Sequence, residues 1–131
     1  DDAWFVPGAL EIIANEADPK ALNFLDVVPE WSALVFGEEV IDKAGLYDER
    51  FYPLYFDDND LDRRIEHAGV KRKVINAKIH HENSSTLKSG YQNVNQKSFS
   101  ANGLLFMSKV DNDDYSEGNW TLATRRANRW D

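Results

Sequence analysis

Four carboxylates fall within six positions of each other in Phe56-Asp57-Asp58-Asn59-Asp60-Leu61-Asp62-Arg63-Arg64, at a loop-to-helix junction. Crowded acids repel one another. Such a cluster persists where a cation, a hydroxylated substrate or the free amides of a helix start absorb the charge, and the same crowding can raise one carboxyl toward general-base duty. The structural alternative is an acidic first helical turn with Asp60 paired to Arg64 four residues on. A calcium loop of the helix-loop-helix type is set aside, because Arg63 stands where the turn glycine is required and Gly69 where the last acidic ligand belongs. His80-His81 is the second chemistry-bearing feature, in a chain with three histidines. Adjacent residues at a strand end point to opposite faces, so at most one imidazole can face a shared ion. Asp1-Asp2 is a third, informative only if a strand precedes it.

The surrounding pattern says which elements must hold these groups. Pro7-Gly8 followed by Ala9, Leu10, Ile12, Ile13 and Ala17 predicts a helix with proline near its first turn. Residues 21–28 read as a short apolar strand closed by Pro29, and 31–36 as a second buried strand. Gly37 then releases the chain into a helix over 38–44 that stops at Gly45. Residues 46–56, with Tyr47, Phe51, Tyr52, Tyr55 and Phe56, are too densely aromatic for one amphipathic face and read as a packed loop. Asp58 or Asn59 caps a helix running to about His67, with Leu61, Ile65 and Ala68 on one stripe. Residues 70–79 alternate basic and apolar side chains, as an edge-like strand does. The polar stretch 82–97 reads as a loop, 99–110 as an amphipathic helix through Leu104, Leu105, Phe106 and Met107, and the remainder as a half-ordered tail. This order of helices and strands predicts an α/β layer arrangement.

Composition narrows the function classes. Twenty-three acids against fifteen Lys and Arg give a net charge of -8, which opposes binding to a phosphate backbone or an anionic membrane. Nucleic acid is therefore not expected as a partner. No run approaches the roughly 18 apolar residues of a membrane span, and the opening Asp1-Asp2-Ala3-Trp4 lacks the marks of a signal peptide. The absence of cysteine excludes thiolate metal sites and a cysteine nucleophile and is compatible with a reducing cytoplasm. The start, without Met and running directly into a strand-like segment, reads as an excised piece.

Taken in chain order, the motifs resemble the C-terminal half of an inverting nucleotide-sugar glycosyltransferase of the family 2, GT-A type, a family that includes rhamnosyl and galactofuranosyl transferases. The residues that carry the resemblance are Asp2 with Pro7-Gly8-Ala9-Leu10, then Ala44-Gly45-Leu46-Tyr47-Asp48-Glu49-Arg50-Phe51. Tyr55-Phe56-Asp57-Asp58-Asn59-Asp60-Leu61 with Arg64 and Ala68-Gly69 follows, and Ala77-Lys78-Ile79-His80-His81 with Ser84-Ser85 closes the series. It covers roughly residues 1–86, and the acidic third element is the most specific. Asp57-Asp58 replaces the family's Glu-Asp, and the nucleotide-binding half lies outside the sequence.

The resemblance implies a partial GT-A fold, a mixed sheet flanked by helices, with residues 1–92 as the acceptor-side catalytic half and 93–131 as a C-terminal helix and partly ordered tail. It implies Asp58 as general base, Asp2 and one of His81 and His80 as ligands of Mn or Mg, and Asp57 and Asp60 shaping the acceptor pocket, with Arg64 as the competing partner of Asp60. His81 is preferred because it shares a strand face with Ala77 and Ile79. Aromatic rings near the acids suit the apolar face of a sugar, with Trp31, Tyr55 and Tyr52 as candidates against plain core packing. The partners implied are a nucleotide-sugar donor and a glycan or other hydroxyl acceptor; a homo-oligomer is left open. The expected location is cytoplasmic, either free or peripheral at the inner face of the membrane. The competing reading is a non-catalytic carbohydrate-binding or assembly module. A two-carboxylate hydrolase ranks last, since acids this close in sequence do not flank a glycosidic bond from roughly 5 to 9 Å apart.

Overall fold

A computed structural model describes residues 3–82 and 92–117. The chain is an α/β structure built on a mixed four-stranded sheet, with β1 (Ala3–Phe5), β2 (Ala21–Asp26), β3 (Leu34–Phe36) and β4 (Lys71–His81) in the order β1-β4-β2-β3. β2 and β4 are parallel, while β1 pairs antiparallel with β4 and β3 antiparallel with β2. The strand expected over 31–36 is split, with a single helical turn at Glu30–Ser32 ahead of β3.

Alternation along β2 sends side chains to two separate cores, and the buried face of β4 joins one of them. On one face Leu25, Val27, Ile75, Ala77 and Ile79 pack against α1 (Ala9–Glu16) through Ala9, Ile12 and Ile13. On the other, Leu22 and Phe24 meet Val40 and Ala44 of α2 (Glu38–Ala44) and Leu61 and Ile65 of α3 (Asp57–His67). Leu61, Ile65 and Ala68 form the stripe their spacing predicts. β4 is interior to the sheet and not an edge. Its basic-apolar alternation arises because the α3-side face of the strand is bare around Val74, which is 76% exposed.

Gly37 shows how tightly the second layer is seated. Its amide donates to the Ala21 carbonyl, and a Cβ there would collide with the Pro19 and Ala21 carbonyl oxygens. Only glycine lets α2 leave β3 at that point.

The last described helix, α4 (Gln92–Asp111), begins well before the expected Phe99. It is also not amphipathic in the expected sense. Leu104 and Met107 face outward at 75% and 54% exposure, whereas Asn95, Ser98, Asn102 and Lys109 are buried. What fastens it is charge. The Lys109 ammonium lies 2.7 Å from both Asp48 Oδ2 and Asp60 Oδ1, and it donates to the Ser116 carbonyl at 2.6 Å. Arg64 donates to Asp60 Oδ2 at 2.8 Å and to the carbonyls of Ala44 and Leu46, which ties α3 to the end of α2. Asp48, Asp60, Arg64 and Lys109 are all essentially excluded from solvent. Two buried acids therefore face two buried bases, with Arg50 closing the outer side of Asp48. The chain past α4 wraps back onto α3, where Tyr115 stacks on His67 and lies under the Arg63 guanidinium.

Removing one member of a buried ion network strands its partners, at a cost of about 3–5 kcal/mol. Lys109→Met should lower the unfolding free energy by about that amount in urea titrations followed by tryptophan fluorescence. Leu104→Ser, on the outward face, should change it by less than about 0.5 kcal/mol. The reverse ordering would mean that apolar contacts, not the ammonium, hold α4.

Candidate functional site

The acidic junction is set by backbone geometry. Tyr55 and Phe56 both adopt left-handed φ values, 77° and 69°, immediately before α3. For bulky residues each such conformation costs on the order of 1–3 kcal/mol and persists only when its surroundings enforce it. α4 does the enforcing. Asn102 donates its side-chain amide to the Leu54 carbonyl at 2.8 Å and the Tyr55 carbonyl at 3.3 Å. Phe99 packs edge-on against Tyr55, Phe106 stacks on Phe56, and Gly103 faces the Phe56 ring.

The chain consequently enters α3 at Asp57, with Phe56 in the cap position instead of the expected Asp58 or Asn59 and no side-chain cap. Asp57 and Asp58 sit in the first turn, where the helix dipole favours negative charge. Asp58 is half-buried, and its Oδ1 accepts the Asn59 amide at 2.8 Å. Burial lifts the Asp57 carboxyl above the usual carboxylate range, and the neighbouring Asp58 charge adds to the rise.

Asp57 lines a cleft of about 400 Å³ together with Tyr47, Asp48, Glu49, Phe51 and Tyr52. Its walls combine aromatic rings and carboxylates. The Tyr47 hydroxyl is pushed up to about 12, by burial first and then by Asp57 and Asp58, so it stays protonated at any physiological pH. Asp48 forms part of the wall, but its charge is spent inward. Burial alone would raise it, yet hydrogen bonds from Arg50 and Lys109 outweigh that effect and hold it at about 2.

Three of the expected acceptor residues are placed elsewhere. Asp60 is fully buried between Arg64 and Lys109, the structural alternative stated for it, and reaches no cleft. The α3 face pointing at the sheet explains this, since Asp60 follows the same inward arc as Leu61 and Arg64. Trp31 packs edge-on against Phe24 in the α2/α3 core, and Tyr55 is turned against Phe99. Tyr47, Glu49 and Phe51 take the cleft positions instead, beside Tyr52. Their place was visible only as the dense aromatic run of a loop whose path depends on α4.

The histidines divide as their strand alternation requires. His81 follows Ala77 and Ile79 on the α1 side, half-buried, with Nδ1 3.5 Å from Ser32 Oγ. His80 lies on the α3 side, exposed, with its ring 5.7 Å from that of Trp4. Asp2 lies outside the described residues. Among the described residues no three His, Asp or Glu side chains are spaced to hold a metal ion.

No helix among the described residues is long and apolar enough to cross a membrane. No protein-family model matches the chain, and neither a curated protein nor a solved structure is detectably similar to it.

The depressed Asp48 carboxyl makes stability pH-dependent in a definite direction. A group ionised more readily in the folded state stabilises above its unfolded value, here 3.8, and that contribution disappears as pH falls through the folded value of about 2. The loss between about pH 4 and pH 2 should be on the order of 2 kcal/mol. Urea midpoints measured across that window should fall for the natural chain and flatten in Asp48→Asn, which starts from a lower stability at neutral pH.

Proposed function

We propose that this chain is the acceptor-side half of an inverting glycosyltransferase of the GT-A type, transferring a sugar from a nucleotide-sugar donor to a hydroxyl acceptor. The observation that carries the reading is the placement of Asp57-Asp58. Both are held in the first turn of α3 by an enforced backbone strain, and Asp57 forms part of an aromatic, acid-lined cleft. The three-residue link from α3 into β4 supports it further. A link that short makes α3 run antiparallel to β4, so its acidic start points toward the carboxyl ends of the parallel pair β2 and β4, where ligands bind in open α/β sheets.

In this reading an acceptor sugar lies in the cleft against Tyr52 and Phe51. Asp58 takes the proton of the attacking hydroxyl as the new C–O bond forms on the face of the anomeric carbon opposite the leaving nucleotide diphosphate. The bond to the diphosphate breaks in the same displacement, and configuration inverts. Asp57 adds negative charge beside the base, and Tyr47, kept neutral, can hydrogen-bond a sugar hydroxyl. A bound Mn or Mg would supply charge neutralisation for the departing diphosphate, with Asp2 and a β4 histidine as its proposed protein ligands.

A second assignment of the proton acceptor rests on a specific observation. Asp57 is raised by burial, and it lines the cleft. The two are separable in the protein carrying its nucleotide-binding half, assayed with a panel of nucleotide sugars. Asp58→Asn should lower kcat by roughly 10²- to 10⁴-fold with the donor KM little changed. An ionised base makes the rate rise with pH. An acid limb above the usual carboxylate range that vanishes in Asp57→Asn, with Asp58→Asn still active, would transfer the role to Asp57. Full turnover in both variants would overturn the assignment of either carboxyl as the base, and no transfer by the unaltered protein from any donor of the panel would overturn the transferase reading.

A further inference from the structure

The outward face of α4 has a symmetry that its seating in the fold does not use. Lys97, Leu104 and Asp111 recur at seven-residue spacing, and all three are exposed. Seven residues make nearly two full turns, so the three lie along one line, with the two charges about 21 Å apart and Leu104 midway. Lys97 and Asp111 are also the only charged residues of this helix outside its buried stripe, which takes Lys109. Leu104 and Met107 are bare beside them, and a groove of about 480 Å³ runs along the same face past Lys97, Ser100, Ala101 and Leu104. Large apolar side chains next to a groove lined by small ones suit packing against another helix, where a bulky group enters the space over a small residue.

The charges decide which helix. A second copy of α4, laid antiparallel with Leu104 facing Leu104, sets Lys97 of each copy opposite Asp111 of the other, because both lie seven residues from the centre. Met107 of each copy then falls against Ser100 of the other, and Ala101 against Ser108. The same faces laid parallel bring lysine to lysine and aspartate to aspartate, which is repulsive. A two-fold interface requires a patch that complements itself, and this one does so in a single orientation.

We infer that the outward face of α4 is a self-association surface, on which two copies of this chain pair antiparallel about Leu104 with a Lys97–Asp111 ion pair at each end. This is independent of the transferase reading. A single helix face falls below the roughly 1,200 Å² at which standard interfaces begin, and each copy carries a net charge of -8, so the pairing is transient and concentration-dependent.

The test is sedimentation equilibrium of the full chain at pH 7 between about 10 μM and 1 mM, the affinity range of transient pairing. The average mass should climb from that of one chain toward that of two. Lys97→Asp and Asp111→Lys, each alone, set like charges at both ends and should weaken association at least about tenfold, whereas the two reversals together should restore it. The first makes the chain more negative and the second less, so a loss in both is not an effect of net charge. Leu104→Ser should weaken association too, with the thermal midpoint at low micromolar concentration little changed. Single reversals that associate like the natural chain, or a double reversal that stays monomeric, would overturn the antiparallel pairing. A natural chain that is folded and monomeric throughout would overturn self-association, and a response of the Leu104 and Met107 amide NMR signals to Trp120→Ala would then assign the face to residues 118–131 of the same chain.

Discussion

The interaction on which the rest depends is the buried meeting of Asp48, Asp60, Arg64 and Lys109. Each comes from a different stretch of chain, the loop after α2, the start of α3, its middle, and the far end of α4. Desolvating four charges is expensive, and a network of this kind is not in itself evidence of high stability. Its effect is geometric. Hydrophobic contact would let α4 slide or rotate over α3, but an ammonium 2.7 Å from two carboxylates admits only one seating. Once α4 is seated, Asn102, Phe99 and Phe106 fall on the Leu54–Phe56 turn and hold it in its left-handed form. The acid pair at the start of α3 is thus aimed by a residue fifty positions downstream.

Much of the sheet and its covering helices is legible in the sequence, because those elements bury single stripes with regular periods. Leu61, Ile65 and Ala68 announce the α3 face, and Gly37 and Gly45 mark its neighbour's limits. β4 misleads at one point. Alternation reports that one face of a strand is wet, and it carries no information on whether both edges are paired, so an interior strand with a bare face reads as an edge. α4 misleads more, since its buried stripe is Asn95, Ser98, Asn102 and Lys109. A search for apolar periodicity finds Leu104 and Met107, which point the wrong way. The signal that was present is the spacing of Phe99, Asn102, Gly103 and Phe106, a helical arc that gains meaning only beside the aromatic loop.

The candidate site was legible in its chemistry and not in its walls. The four-acid junction stands out by composition, and the two outcomes open to Asp60 were both readable from the i, i+4 position of Arg64. Which aromatics border the acids was not readable, because that depends on the path of residues 46–56. Here the loop carries Tyr47, Phe51 and Tyr52 to the cleft and turns Tyr55 away to Phe99. Trp31 follows the one-turn helix before β3 into the core.

The polar seating of α4 has a thermal consequence. At high temperature apolar stabilisation levels off, whereas the penalty for stripping water from ions keeps shrinking. A helix clasped through an ammonium and two carboxylates therefore gains grip, relative to the oily layers under α1 and α2, as the molecule warms. The strained turn beneath it is best supported toward the upper end of the working range.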